Sequence, residues 1–182
     1  MPSSKVYLRE IERTDLPRIN QWRNDPELVG FLGANFLYIG SAIDERWFNA
    51  YLDNRDKAVR LAIMATDSDT HIGNVNLTGI HAVNRTAEFS IFIGDKNYWS
   101  DGYGSMAAQQ ILAHGFEDLN LHRISLTLLQ TNERARRMYE RLGFQQEGCQ
   151  RQAVFKNGLY HNLLEMSILQ EEFIASTKLS TD

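Results

Sequence analysis

The stretch Trp99-Ser-Asp-Gly-Tyr-Gly-Ser105 lies where an apolar strand pattern, Ala87 to Gly94, gives way to a helix-like run from Met106 to Leu119. Glycines at such a handover let the backbone turn tightly and come close to a ligand. The first amides of a helix lack internal partners and carry partial positive charge, which suits phosphate oxygens. Further on comes Asn132-Glu-Arg-Ala-Arg-Arg-Met-Tyr-Glu-Arg-Leu-Gly-Phe144, with an Asn able to cap a helix and a Gly placed to end it. The five histidines show no metal-ligand spacing, and the single cysteine, Cys149, has no His signature nearby to make it a nucleophile. No metal is therefore expected.

These residues have to be positioned by a strand, a helix and a second strand. Alternation over Thr86 to Gly94 puts Glu88, Ser90 and Phe92 on one face and Phe89, Ile91 and Ile93 on the other. The helix after the glycine loop is broadly apolar, and Arg123 to Leu129 reads as the next strand, so a right-handed crossover with parallel pairing is expected. Upstream, Val6 to Glu10, Val59 to Thr66 and Ile72 to Ile80 read as strands. A helix beginning at Ser41 carries Ile43, Trp47, Ala50 and Tyr51 as one apolar stripe. Downstream, Asn157-Gly158 between two strand patterns signals a hairpin, and a short helix over 170–175 closes the chain. The stretch Val29 to Tyr38 is apolar and punctuated by glycine; it reads either as a loop packed on the core or as the wall of a substrate pocket.

The ordered set of strand glutamate, glycine loop and Asn…Tyr…Gly-Phe resembles the GNAT-type acyl-CoA N-acyltransferases. Their pyrophosphate loop reads Gln/Arg-x-x-Gly-x-Gly/Ala; Gly102 and Gly104 fill the glycine positions, and Trp99 replaces the Gln/Arg. The resemblance implies an α/β fold: a mixed, mostly antiparallel sheet of about seven strands, helices on both faces, and a V-shaped splay between the central parallel strands, opened by a bulge. It implies an enzyme, an acetyl-CoA-dependent N-acetyltransferase whose amine attacks the thioester directly in a ternary complex. Acetyl-CoA would be held by the amides of Ser100, Asp101, Gly102, Tyr103, Gly104 and Ser105, by the main chain of Phe92 and Ile93, and by Asn132, which also reads as a plain helix cap. Asp101 stands where the family often has a basic residue.

Tyr139 is the implied general acid, since a positioned phenol can protonate or hydrogen-bond the departing thiolate. Glu88 is the implied general base for the substrate ammonium, against the plainer reading of a solvated or Arg-paired strand carboxylate. Phe31, Leu32 and Asn35 are the expected substrate wall. Of Arg134, Arg136, Arg137 and Arg141, one or two would reach the CoA 3′-phosphate, or all form a solvated helix face. The C-terminal half resembles bacterial spermidine acetyltransferases, through Ala87-Glu-Phe89, Leu119-Asn-Leu-His122 and Glu147-Gly148. The N-terminal Trp22-Arg-Asn-Asp-Pro26 equally resembles ribosomal-protein N-terminal and aminosugar acetyltransferases. The acceptor is thus expected to be a primary amine, small or peptidic: a polyamine, a protein N-terminus or an aminosugar. The family allows a homodimer. The rival class is a non-catalytic acyl-CoA sensor or scaffold, which would need neither Tyr139 nor Glu88.

Composition agrees with an ordinary globular domain: 182 residues, 43% hydrophobic, 23% charged, net charge −4. No basic block suggests nucleic acid, no apolar run is long enough to span a bilayer, and one cysteine suits a reducing cytoplasm. A single domain is expected over residues 1–175, with 176–182 as a loose tail.

Overall fold

The computed structural model describes residues 4–179, with side chains through residue 175. Its strands are β1 (Val6–Glu10), β2 (Ala58–Ala65), β3 (Thr70–His81), β4 (Thr86–Ile93), β5 (Arg123–Leu129), β6 (Gln145–Lys156) and β7 (Leu159–Leu169). The helices are α1 (Leu16–Arg23), α2 (Pro26–Gly30), α3 (Ser41–Leu52), α4 (Tyr103–Ala113), α5 (Glu133–Arg141) and α6 (Gln170–Leu179). The strands form one open sheet in the order β1-β2-β3-β4-β5-β7-β6. Every pairing is antiparallel except β4 with β5, which the crossover through α4 makes parallel.

Strand alternation divides the core between two layers. In β2, Ile63 and Ala65 pack with α4 residues Ala107, Ala108, Ile111 and Leu112 and with Tyr139 and Leu142 around α5. Ala62 and Met64 point the other way, onto Leu16 of α1 and Phe48 and Tyr51 of α3. The α3 face is turned from the expected stripe: Asp44, Phe48 and Tyr51 are buried, whereas Ile43 is exposed. The cause is polar. Asp44 accepts from Asn20 and pairs with Arg23, so a partnered carboxylate takes an inward position that apolarity alone would not assign. The cap is the backbone of Gly40, with no side-chain bond from Ser41.

The β4–β5 ladder is short. It joins Thr86 to Arg123, Ala87 to Ile124 and Glu88 to Ser125, then stops, although both strands continue. This is the expected splay, but its cause differs from expectation. No bulge interrupts β4, which keeps constant register with β3 from Glu88↔Thr78 to Ile93↔Gly73. The register shift lies in β3 between Thr78 and His81, around Gly79 at φ +59°. The two halves separate because β4 stays with β3 while β5 stays with β7, and right-handed twist carries the pairs apart. Asn157 and Gly158, at φ 51° and 80°, make the expected tight hairpin between β6 and β7. The last helix runs to Leu179, past the boundary expected at residue 175; the remainder of the expected tail, 180–182, lies outside the described residues.

Candidate active site

Gly102, at φ 84° and ψ −4°, turns the chain into α4, a left-handed conformation that favours glycine. The first intrahelical bond runs from the Met106 amide to the Gly102 carbonyl, 3.1 Å. Among the described residues no backbone acceptor meets the amides of Tyr103, Gly104 or Ser105. Three donors thus face out of a helix N-terminus, the arrangement that binds phosphate oxygens. A Cβ on Gly104 would stand 3.7 Å from Ile93 Cγ1 and from Met138 Sδ, so α4 begins against both β4 and α5.

This helix start opens on a cavity of about 630 Å³ at the splay. Its lining comes from both sides of the sheet: Glu88, Ser90 and Phe92 with Leu28, Phe31 and Leu32 on the α1–α2 side, and Ile91, Ile93, Tyr103, Gly104, Met138 and Tyr139 on the α4–α5 side. The gap between β4 and β5 is therefore a passage through the sheet. Of the residues singled out from sequence, Tyr139, Glu88, Phe92, Ile93, Ser100, Gly102, Tyr103, Gly104, Ser105, Asn132, Phe31 and Leu32 line this one space. Asp101 and Asn35 are exposed and do not line it.

Register shows which main-chain groups of β4 face the passage. The Gly94 amide donates to Ile72 on β3, 2.8 Å, so by antiparallel alternation the even-numbered residues, Phe92 included, bond toward β3. The odd-numbered residues turn the other way: the Arg85 carbonyl accepts from His122 at the start of β5. Phe89 carries the last of these bonds through its amide, and Ile91 and Ile93 continue the series beyond the end of pairing. Phe92 thus offers the cavity its side chain, set edge-on to Trp22 at 5.8 Å, with its main chain turned to β3, whereas Ile91 turns its main chain toward the passage. The Ile93 carbonyl accepts from Trp99 Nε1 at 2.8 Å, so the tryptophan in the family's Gln/Arg position caps the end of the strand.

Tyr139 is 7% exposed, on α5, with Phe89 edge-on at 5.9 Å and Phe144 at 5.7 Å. Burial raises its pKa above the ordinary phenol value. No hydrogen bond of its hydroxyl is found among the described residues, and that oxygen is not sealed off. Glu88, the last β4 residue paired with β5, sits at the vertex of the splay with its side chain exposed. Asn132 caps α5 by accepting from the Ala135 amide, 3.1 Å, and its Nδ2 donates to the Phe31 carbonyl, 3.0 Å. Its amide is engaged at both ends, so it joins the helix to the α2 loop. Lys96 pairs with Asp25 at 2.8 Å and with Glu27, tying the β4–α4 connection to the start of α2.

Sequence reasoning passed over Asn76, Ile91, Thr127, Leu128 and Met138, all in the lining. Thr127, a polar position between Leu126 and Leu128, was a readable signal; Asn76 and Met138 carried none. Arg134 and Arg141 line the cavity, and Arg134 lies over the Trp99 ring, 5.7 Å from its centre.

An acetyltransferase (GNAT) domain family model matches residues 5–145. The spermidine N(1)-acetyltransferase of Escherichia coli (strain K12) is 31% identical over 183 residues, covering 98% of this chain and 94% of the relative. The putative ribosomal N-acetyltransferase YdaF of Bacillus subtilis (strain 168) is 33% identical over 101 residues, 56% of this chain and 55% of the relative. The crystal structure of spermidine N-acetyltransferase from Vibrio cholerae in complex with CoA and spermine superposes with a TM-score of 0.88 at 28% identity, covering 94% of this chain and 99% of that one.

Proposed function

The chain belongs to the GNAT acetyltransferase family and is an acetyl-CoA-dependent N-acetyltransferase, and we propose that it acetylates a primary amine by direct attack within the passage between β4 and β5. The observation that carries this reading is the early end of the β4–β5 ladder beside the free amides that open α4. The Tyr103, Gly104 and Ser105 amides take the pyrophosphate, and the free main-chain groups of Ile91 with the Ile93 amide take the amide-bearing arm of the cofactor. That path leads the thioester to the vertex, between Tyr139 on the α5 side and Glu88 on the α1–α2 side.

The amine nitrogen attacks the thioester carbonyl carbon. As the tetrahedral intermediate collapses, the C–S bond breaks and the sulfur leaves with the electron pair, meeting the Tyr139 hydroxyl. The proton lost from nitrogen passes to the Glu88 carboxylate, directly or through water. Holding amine and thioester together accounts for much of the rate in any such scheme.

The relatives' names support a polyamine acceptor. A second reading has its own support: among the lining residues Glu88 is the one carboxylate, beside Arg134 and Arg141, which suits an amine with little charge beyond its reacting end, such as an aminosugar or a peptide N-terminus. Thiol release from acetyl-CoA with a panel of polyamines, aminosugars and N-terminal peptides decides between them. With the best amine, Glu88→Gln is expected to flatten the acidic limb of the pH profile of kcat/KM. An unmoved limb removes Glu88 as base.

A further inference from the structure

Residues 29–34 carry the chain out of the last turn of α2 and along the cavity, with Phe31 and Leu32 in its wall. The closing carbonyls of a helix have no internal donors. Here the Val29 carbonyl accepts from the Leu32 amide at 3.0 Å and takes a second donor from a remote element. Lys156, the last residue of β6, places Nζ 2.8 Å from the Val29 carbonyl and 2.5 Å from the Ala34 carbonyl. It is 8% exposed, and among the described residues no carboxylate pairs with it. Burying an amine without a counter-charge is costly, and burial lowers the Lys156 pKa. Asn132, the cap of α5, also donates to the Phe31 carbonyl, and the Trp99 ring stands edge-on to Phe31 at 5.8 Å. Three carbonyls of one short segment are thus held by donors from β6 and α5.

We propose that Lys156 is a positioning residue for the acceptor: by bridging the carbonyls of Val29 and Ala34 it fixes Phe31–Ala34 as a preset wall, and so sets which amines reach the thioester. This rests on the amine-acceptor reading of the cavity. Lys156 touches neither substrate in this scheme; it acts through the wall.

K156M and K156Q both remove the double tie, the first by lacking donors and the second by lacking reach; K156R keeps donors. In either of the first two, KM for the best amine is expected to rise about 10-fold and preference among amines to fall by a similar factor, with KM for acetyl-CoA within about twofold. K156R is expected to restore part of the preference. Residues 30–34 should exchange amide hydrogen about 10-fold faster than in the unaltered protein, without substrate, while 107–113 keep their protection. A merely structural lysine would instead lower the thermal midpoint and raise both KM values together. Unchanged amine KM and unchanged exchange in K156M or K156Q overturn the proposal, as does failure of both variants to fold. Failure of the amine-acceptor reading shows separately, as no turnover of any amine by the unaltered enzyme, and the exchange measurement still reads the clamp.

Discussion

The Tyr139 hydroxyl is held by its ring, wedged between Phe89 and Phe144, and not by a polar partner. Burial raises its pKa, so the phenol stays protonated through the working pH range. A thiol ordinarily titrates near ~8.5 and a free phenol near ~10. Full transfer of the Tyr139 proton to a CoA thiolate is therefore uphill, and the group serves best as a hydrogen-bond donor to the charge growing on sulfur. Tyr139→Phe is expected to lower kcat about 100-fold, with CoA affinity by calorimetry little changed and the basic limb of the pH profile in place. Unchanged turnover removes Tyr139 from the chemistry. The motif match placed this residue in the sequence; that its hydroxyl carries no competing bond is a tertiary fact.

At the scale of elements, the two glycines of the loop do different things. Gly102 is needed for its backbone angle: at φ 84° any side chain is strained, although a Cβ there meets only Met106 Cε at 3.8 Å. Gly104 has an ordinary helical position and room for a methyl group, so its smallness matters when something lies in the cleft. Gly102→Ala is expected to cost about 1 kcal/mol of stability and to weaken CoA binding, whereas Gly104→Ala should leave the unfolding midpoint in place and weaken CoA binding alone. Equal destabilisation by both would contradict this division. Ser100 shares the left-handed region at φ 75°, a strain that recurs where backbone is shaped for a ligand. The glycine spacing could be read along the chain because a strand-to-helix turn is local; the rotation of α3 could not, because Asp44 finds Asn20 and Arg23 on another helix.

Across the whole molecule, a buried polar knot joins β1, the turn before α1, and β3. His71 is 6% exposed, with Nδ1 3.3 Å from Asp15 Oδ1 and Nε2 2.9 Å from the Gly73 carbonyl. Arg9 forks onto Asp15 through two 2.8 Å bonds, and Arg18 donates to the His71 carbonyl at 2.6 Å. Burial lowers the His71 pKa, and the Asp15 charge only partly offsets it. The unfolded chain then binds the proton more readily than the folded one, so this contribution is present above pH ~6.5 and lost as pH falls below it. Asp15, whose pKa is lowered, gives a separate contribution, lost only in the range below its ordinary ~3.9. Urea midpoints are expected to drop between pH ~7 and ~5, and His71→Asn is expected to flatten that drop; an identical slope in the variant removes His71 as its source.

Glu88 and Tyr139 were picked out by the family resemblance; what the residues determined unaided is local: strand alternation, the Asn-Gly hairpin and the turn of the glycine loop. Each depends on neighbours a few positions away, where backbone angle and side-chain period suffice. The tertiary structure alone decided that the strands part without a bulge in β4, that Ile91 rather than Phe92 turns its main chain to the passage, and that Lys156 holds the wall built from residues 29–34. These are matters of register and sheet order. They arise only when β7 enters between β5 and β6 and brings a distant ammonium to the end of α2, a meeting that no short-range pattern encodes.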